Sequence, residues 1–188
     1  METTALRART DGASDTAPQW FVLRFLYRDQ PRVRERLEAG RIEIYCPKQL
    51  IVTRRRGKQV RVWKPILWDL LFAHATRAEL DPYVAAYDNF QYRYKSGGAY
   101  REPLTVPEEQ MTRFMEAVEG SEKPLYFTPQ ELQAAKGTRV RLIGGRMDGR
   151  EGILLKVKGA RERRLIVEIP DTLIAAVEVD ADLIEVLA

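Results

Sequence analysis

The apolar positions in the first two thirds of the chain alternate between strand-like and helix-like spacing. A near-continuous apolar run at Trp20–Tyr27 predicts a central strand, and Val33 and Leu37, four residues apart among arginines, predict a short amphipathic helix. A second helix is predicted at 77–87, although Pro82 interrupts it. Further apolar segments predict strands at 42–46, 50–53, 60–63, 66–73 and 90–94.

A third helix has the clearest signal. Pro107 opens it, Glu108 and Glu109 suit the positive end of its dipole, and Gly120 ends it. Its apolar residues recur at helical spacing and form one stripe, Met111, Phe114, Met115 and Val118. The order of elements predicts an α/β sandwich with a mostly antiparallel sheet over residues 18–118.

After a predicted linker at 119–135, the pattern changes to short strands. Apolar and charged residues alternate near 139–142, 153–157, 164–169 and 175–179. Strands this short, within roughly 50 residues, leave room only for a small all-β barrel, predicted over residues 136–188. Four glycines near its first turn suit positive φ or close backbone approach, Gly144, Gly145, Gly149 and Gly152. The predicted fold class of the whole chain is therefore α+β.

Charge is distributed unevenly along the chain. The net charge is +4, yet residues 18–118 carry 18 basic against 12 acidic side chains, and the rest carries 13 against 15. The densest basic run lies between the β-rich segments 50–53 and 60–63, where we expect a hairpin with a basic tip. This asymmetry favours a polyanion as partner of the first domain. Alternatively, the basic residues of the tip are only solvated and protect the edge of the hairpin from pairing with other strands.

Composition excludes several classes of function. No apolar run reaches the about 18–20 residues of a membrane span, and the Thr/Ala/Asp-rich residues 1–17 indicate a flexible tail rather than a secretory signal. Cys46 and His74 are the only cysteine and histidine, so the chain can form neither an internal disulfide nor a Cys/His zinc site. No nucleophile–base set, paired carboxylates or dinucleotide fingerprint is present. We expect a cytoplasmic protein that is not an enzyme, has no catalytic residues, and needs no metal, cofactor or membrane.

Two sequence signatures follow one another along the chain. Residues 140–153, with Lys158-Gly159, 165–169 and 177–179, resemble a KOW module. The first domain resembles the NusG N-terminal domain in four segments, 20–23, 32–37, 44–47 and 64–73, although Trp68-Asp69 replaces the Pro-Gly/Asn that is common in the family. Residues 104–114 are similar to a segment of specialised NusG paralogues of the UpxY type. The chain thus resembles a NusG/RfaH-type transcription elongation factor, and in particular the UpxY-like operon-specific antiterminators, which serve loci such as those for capsular polysaccharides.

The resemblance implies partners and site residues. In this family the first domain binds the clamp helices of RNA polymerase through an apolar surface, which corresponds here to Leu67, Trp68, Leu70 and Phe72, with Phe90 and Tyr92 as flanking candidates. The domain also touches non-template or upstream DNA, for which the basic candidates are Arg54, Arg55, Arg56 and Lys58 and, more weakly, Arg24, Arg28 and Lys95. The KOW domain recruits a second partner, Rho or a small-subunit ribosomal protein, and its candidate anchors are Leu173 and Ile174. We expect the protein to be a monomer.

Several alternatives stay open. Strand alternation also allows Trp68 to lie in the core, and Leu173 and Ile174 to be ordinary barrel core. Cys46 is expected to be a small buried hydrophobic residue. For function, the alternatives are a general NusG-type factor that also supports Rho-dependent termination, and a ribosome-associated, RNA-binding KOW protein. The larger basic surplus of the first domain argues against the latter.

Overall fold

The computed structural model describes residues 17–26, 30–121, 124–127, 137–145, 148–156, 163–170, 172–179 and 183–187. Its elements, in chain order, are β1 (Gln19–Phe25), α1 (Gln30–Ala39), β2 (Glu43–Tyr45), β3 (Lys48–Arg55), β4 (Lys58–Pro65), β5 (Leu70–Ala75), α2 (Arg77–Ala86), β6 (Phe90–Tyr92), β7 (Thr105–Val106), α3 (Glu108–Glu119), β8 (Leu125–Phe127), β9 (Thr138–Ile143), β10 (Glu151–Lys156), β11 (Arg163–Ile169), β12 (Leu173–Glu178) and β13 (Leu183–Val186). The predicted tail at 1–17 lies outside the described residues except for Ala17.

The described residues form two compact units, and the division differs from the predicted boundary. The first unit holds residues 17–46 and 67–105, and the second holds 47–66 and 106 onwards. The β3–β4 hairpin and α3, which the sequence assigns to the first domain, therefore belong to the second unit.

The first unit is built on an antiparallel sheet with strand order β2-β5-β1-β6, and β7 pairs with β1. Strand β1 lies inside the sheet with its apolar run buried, as its composition predicts, and Leu23 lies opposite Leu71 of β5. Helices α1 and α2 cover one face, because Val33, Leu37 and Leu80 pack on the side chains that the sheet presents there. This confirms the predicted mixed α/β architecture for the unit.

Helix α2 forms in spite of Pro82, which lies within it. The hydroxyl of Thr76 accepts a hydrogen bond from the Glu79 amide at 3.3 Å, and the Glu79 carboxylate accepts one from the Thr76 amide at 2.7 Å. These reciprocal bonds are a capping box, which satisfies two backbone donors at the start of the helix. The hydrogen bonds from the backbone and hydroxyl of Thr76 lower the pKa of Glu79. Capping and the burial of Leu80 offset the backbone bond that the proline removes.

The second unit contains a six-stranded sheet with the order β13-β9-β10-β11-β12-β8. Strand β8 falls inside the predicted linker, where an alternating pattern is too short to detect, and pairs with β12 so that Phe127 lies opposite Ile174. The structure thus places a short strand at 125–127 within the segment predicted as a linker. The rest of the sheet is a run of antiparallel neighbours, as the alternating segments predict.

The glycines at the turn from β9 to β10 adopt positive φ angles or lie very close to another strand, as their position predicts. Gly144, Gly145 and Gly149 have φ values of 79°, 67° and 72°. Gly152 lies so close to β11 that a Cβ atom would come within 2.8 Å of the carbonyl oxygen of Ile166 and of Leu165 Cδ1. Both turn geometry and strand packing thus require glycine here.

Helix α3 begins after Pro107 and ends at Gly120, as predicted. Its stripe is buried at Met111, Phe114 and Val118, whereas Met115 is half-buried. Within the second unit, α3 packs against β11 and β12. Arg150, the residue before β10, donates a 2.6 Å hydrogen bond to Glu116 of the helix, which adds a polar contact to this packing.

Candidate functional site

A two-stranded hairpin, which we call the hairpin arm (residues 48–65), carries the densest charge of the molecule. Strands β3 and β4 pair with each other along their whole length, from Lys48 opposite Pro65 to Arg55 opposite Lys58. Arg56 and Gly57 form the turn with φ values of 49° and 79°. Positive φ at both central residues matches the right-handed twist of the strands, and Gly57 adopts it without strain. The predicted hairpin with a basic tip is confirmed.

The basic residues of the arm have no acidic counterpart. Residues 47–66 contain seven basic side chains and no Asp or Glu, so this stretch carries +7 while the rest of the chain carries −3. The structure brings the predicted residues together at the exposed tip, Arg54, Arg55, Arg56 and Lys58. Among the described residues, the ion pairs found involve none of these side chains. Unpaired cations at an exposed hairpin tip suit a phosphate backbone.

One face of the arm also exposes apolar side chains that the sequence interpretation did not single out. Leu50 and Trp63 lie opposite each other and are 47% and 65% exposed, and Val52 beside them is 62% exposed. The opposite face, with Ile51 and Val62, is half-buried. A signal was present, because three consecutive apolar residues at 50–52 must place apolar groups on both faces of a two-stranded sheet.

The weaker nucleic-acid candidates are not grouped with the tip. Arg24 is exposed and donates a 3.2 Å hydrogen bond to Gln91. Lys95 is paired with Glu102 at 2.5 Å, and this bond, with a second from the Ala99 amide, lowers the pKa of Glu102. The charge of Lys95 is thus compensated within its own loop. Arg28 lies outside the described residues.

Trp68 lies in a turn and not on the predicted strand at 66–73. Strand β4 continues to Pro65, β5 begins only at Leu70, and the Leu70 amide donates to the carbonyl of Leu67 at 3.4 Å. The turn leaves Trp68 50% exposed and Leu67 half-buried. The indole is therefore accessible to a partner, which favours the interface alternative over the core alternative.

The other four polymerase candidates are buried in this structure. Leu70 and Phe72 alternate along β5 on one face, where the Phe72 ring lies 6.3 Å from Tyr45. Phe90 and Tyr92 are on the face that packs against α1 and α2. Direct contact with a partner requires that these residues are exposed. The structure contradicts that expectation, because each residue belongs to a strand whose apolar side chains form the core. They are Leu70, Phe72, Phe90 and Tyr92.

Tyr92 illustrates why these residues are core. Its ring contacts Phe21 at 5.5 Å and its hydroxyl donates a 2.9 Å hydrogen bond to Asp81 of α2. Burial and this hydrogen bond raise the pKa of Tyr92, so the phenol stays neutral. The hydroxyl therefore ties the sheet to α2.

The predicted exposed anchors of the second unit are buried too. Leu173 follows the turn from β11 and lies opposite Ile169, while Ile174 packs with Ile166 and Phe127. Leu173 and Ile174 are therefore core residues of the sheet and not exposed anchors. The neighbouring strand β8, which the sequence did not predict, pairs with β12 beside Ile174.

Two arginines of the six-stranded sheet, Arg141 and Arg164, differ from those of the arm in having carboxylate partners. Arg141 contacts Glu151 at 2.6 Å and Glu185 at 3.2 Å. The hydrogen bond from Arg141 lowers the pKa of Glu151, which keeps the pair charged. Arg164 likewise pairs with Glu178 at 3.2 Å. The guanidinium groups of Arg141 and Arg164 are therefore already engaged by carboxylates and are not free to bind a polyanion.

Cys46 and His74 have structural partners. Cys46 is half-buried rather than buried as expected, and its sulfur accepts a 2.7 Å hydrogen bond from Arg34. His74 stacks on Trp20 with ring centroids 5.1 Å apart and lies 3.5 Å from Glu43. Within the described residues, no group of His, Cys, Asp and Glu is arranged to hold a metal ion. In the same residues, no helix is long and apolar enough to span a bilayer.

The described residues thus combine an α/β sheet unit, an exposed tryptophan and a basic hairpin arm. The family model described as "Transcription termination factor nusG" matches residues 18–115. No curated protein matches the chain. The match covers more than half of the 188 residues, and the chain belongs to the NusG family. Proteins of this family are non-enzymatic transcription elongation and antitermination factors, and the family binds RNA polymerase.

Proposed function

We propose that the protein is an operon-specific antitermination factor that binds the clamp helices of RNA polymerase near Trp68 and contacts non-template or upstream DNA with the tip of the hairpin arm. The observation that carries this proposal is the arm itself, where seven basic side chains stand without an acidic residue in a chain that belongs to the NusG family. Such a cluster supports a sequence-independent contact with phosphates.

The second unit supports recruitment of a further partner through a KOW-type barrel. Strands β9 to β13 follow the order β13-β9-β10-β11-β12, as a small roll built from consecutive hairpins does. We propose Rho or a small-subunit ribosomal protein as the partner. Direct RNA binding by this sheet is disfavoured, because Arg141 and Arg164 are held by glutamates.

Binding of RNA polymerase by the full chain tests the first part of the proposal. We expect tagged wild-type protein to retain core polymerase, Trp68→Ala to retain much less, and the triple variant Arg54→Ala/Arg55→Ala/Arg56→Ala to retain a normal amount. The triple variant should instead lose its effect on elongation through duplex templates. Tyr100→Ala, at a position that is 89% exposed, is the matched control for loss of an exposed aromatic ring. Failure of the wild-type chain to retain polymerase would remove the proposal.

A transcription assay separates the operon-specific factor from a general one. On a template with a Rho-dependent terminator, an antiterminator raises the fraction of full-length transcript, whereas a general NusG-type factor raises the terminated fraction when Rho is present. We expect more read-through. Increased termination would establish the general factor and reject the specialised one.

A further inference from the structure

We infer that the edge of β12 at residues 174–176 is a binding surface for an extended apolar segment of a partner protein, and that β8 covers this edge until such a segment displaces it. The inference rests on the proposed recruitment of a second partner by this unit. It deepens that proposal, because it names the surface, the kind of segment that binds there and the strand that competes with it.

Strand β8 shows what the β12 edge accepts. It pairs antiparallel with β12 through three residues, with Leu125 opposite Ala176 and Phe127 opposite Ile174. Side chains alternate along a strand, so Leu125 and Phe127 lie on one face, where they pack against a cluster of Ile166, Ile174 and Ala176. Because the pairing of strands uses main-chain hydrogen bonds, another extended segment with apolar residues at these two positions can take the place of β8.

The chemistry of the edge suits an uncharged segment. Residues 173–177 contain no charged side chain, and all five are buried. Glu178, which follows them, is paired with Arg164 at 3.2 Å. Since the five positions carry no charge, the edge fits the main chain and apolar side chains of a protein strand and not a phosphate backbone.

The sequence and burial of β8 indicate that it is weakly held. Pro124, which precedes it, has no amide hydrogen to donate to a longer pairing. Leu125, Tyr126 and Phe127 are only half-buried. The hydroxyl oxygen of Tyr126 is buried without a hydrogen-bond partner among the described residues, which costs free energy that water restores when the strand detaches. A three-residue strand with these costs should open locally more readily than the longer strand pairs of the same sheet.

Binding of a peptide by the full chain tests the inference. The probe is a fluorescent peptide with the sequence of residues 122–129, which contains the strand that the edge already accepts. We expect wild type to bind this peptide weakly, and not to bind a peptide in which serine replaces the leucine and the phenylalanine. Purified Rho and purified 30S ribosomal subunits are titrated in the same way as candidate partners.

Two substitutions in β8 should change the affinity for the probe in opposite directions, although neither lies on β12. Phe127→Ala removes apolar contacts of β8 and raises the fraction of molecules with an open edge, on which the apparent affinity depends. We expect this variant to bind the peptide about tenfold more tightly than wild type. Tyr126→Phe removes the unpaired hydroxyl, holds β8 more firmly and should weaken binding severalfold. Tyr100→Phe, which removes a hydroxyl at an exposed position, is the matched control and should bind as wild type.

The outcomes separate failure of this inference from failure of the proposed function. Equal affinities of wild type, Phe127→Ala and Tyr126→Phe for the peptide, or no binding by any of them, would overturn the inference. The expected order of peptide affinities without binding of Rho or 30S subunits by any variant would support the covered edge and reject the proposed partners. Urea denaturation shows whether Phe127→Ala is folded, and Tyr126→Phe, which loses only one oxygen atom, decides the question if it is not.

Discussion

Truncation of two aromatic residues near the start of β5 should have opposite consequences, although the sequence predicts a polymerase contact for both. Phe72 is fully buried on β5, whereas Trp68 is half exposed in the preceding turn. Phe72→Ala removes a buried ring and leaves a cavity, which costs about 3–5 kcal/mol of unfolding free energy. Trp68→Ala removes a ring that solvent already reaches, and its cost should stay below about 1 kcal/mol.

For binding of RNA polymerase, Trp68→Ala should have the larger effect and Phe72→Ala the smaller one. An exposed tryptophan that anchors an interface contributes about 2 kcal/mol or more, so Trp68→Ala should weaken binding of core polymerase by about thirtyfold. Phe72→Ala should bind normally per folded molecule, because the ring does not reach the surface. Urea denaturation measures the first quantity, and titration of immobilised polymerase with the folded fraction measures the second.

Two results would refute this reasoning. Normal polymerase binding by Trp68→Ala would show that the exposed indole is not an anchor. A Phe72→Ala variant that is as stable as wild type but does not bind would show that Phe72 is a contact residue, and the burial seen here would not describe the bound protein. Phe72→Leu keeps most of the apolar volume and serves as the control for packing.

Three further predictions concern stability, each measured by urea denaturation of the full chain. Thr76→Ala removes the capping box of α2 and should cost about 1 kcal/mol, while Thr76→Ser should cost less; equal stability of wild type and Thr76→Ala would contradict the assigned cap. Gly152→Ala should cost about 1–3 kcal/mol, since its Cβ would meet backbone and side chain of β11, whereas a neutral effect would show that the strand can move away. The pKa of Glu151 is lowered by its bond with Arg141, so its contribution is present above about pH 5 and is lost as pH falls through the lowered value. Glu151→Gln should flatten that acid dependence, and an unchanged profile would count against the pair.

Local patterns predicted those parts of the fold that depend on neighbours in sequence. Continuous apolar residues identified β1, helical spacing identified α3, and an Arg-Gly turn between β-rich segments identified the hairpin arm. The glycines before β10 were predicted from the turn they occupy. Each of these signals acts within a few residues, where propensity and periodicity decide the conformation.

Features that depend on distant partners were not predictable in the same way. Strand β8 exists because three residues find an edge on β12, and that edge then buries Ile174. The turn at Trp68 depends on where β4 ends, which pairing with β3 sets. Phe72 and Trp63 are both aromatic residues in strands, yet Phe72 is buried and Trp63 is exposed. The amino-acid composition of a strand does not show which of its faces another element covers.

The positions of the arginines relative to carboxylates decide which part of the molecule suits a polyanion. A net charge of +4 over 188 residues is small, but the structure separates two kinds of arginine. Arg141 and Arg164 of the six-stranded sheet are matched by glutamates at 2.6–3.2 Å, so binding a phosphate at either would require breaking an existing pair. Among the described residues, the ion pairs found involve no cation of the hairpin arm, on which Trp63 is 65% exposed. Salt dependence should therefore be steep for a polyanion bound by the arm and shallower for one bound at Arg141 and Arg164, because the arm can neutralise phosphates without losing internal ion pairs.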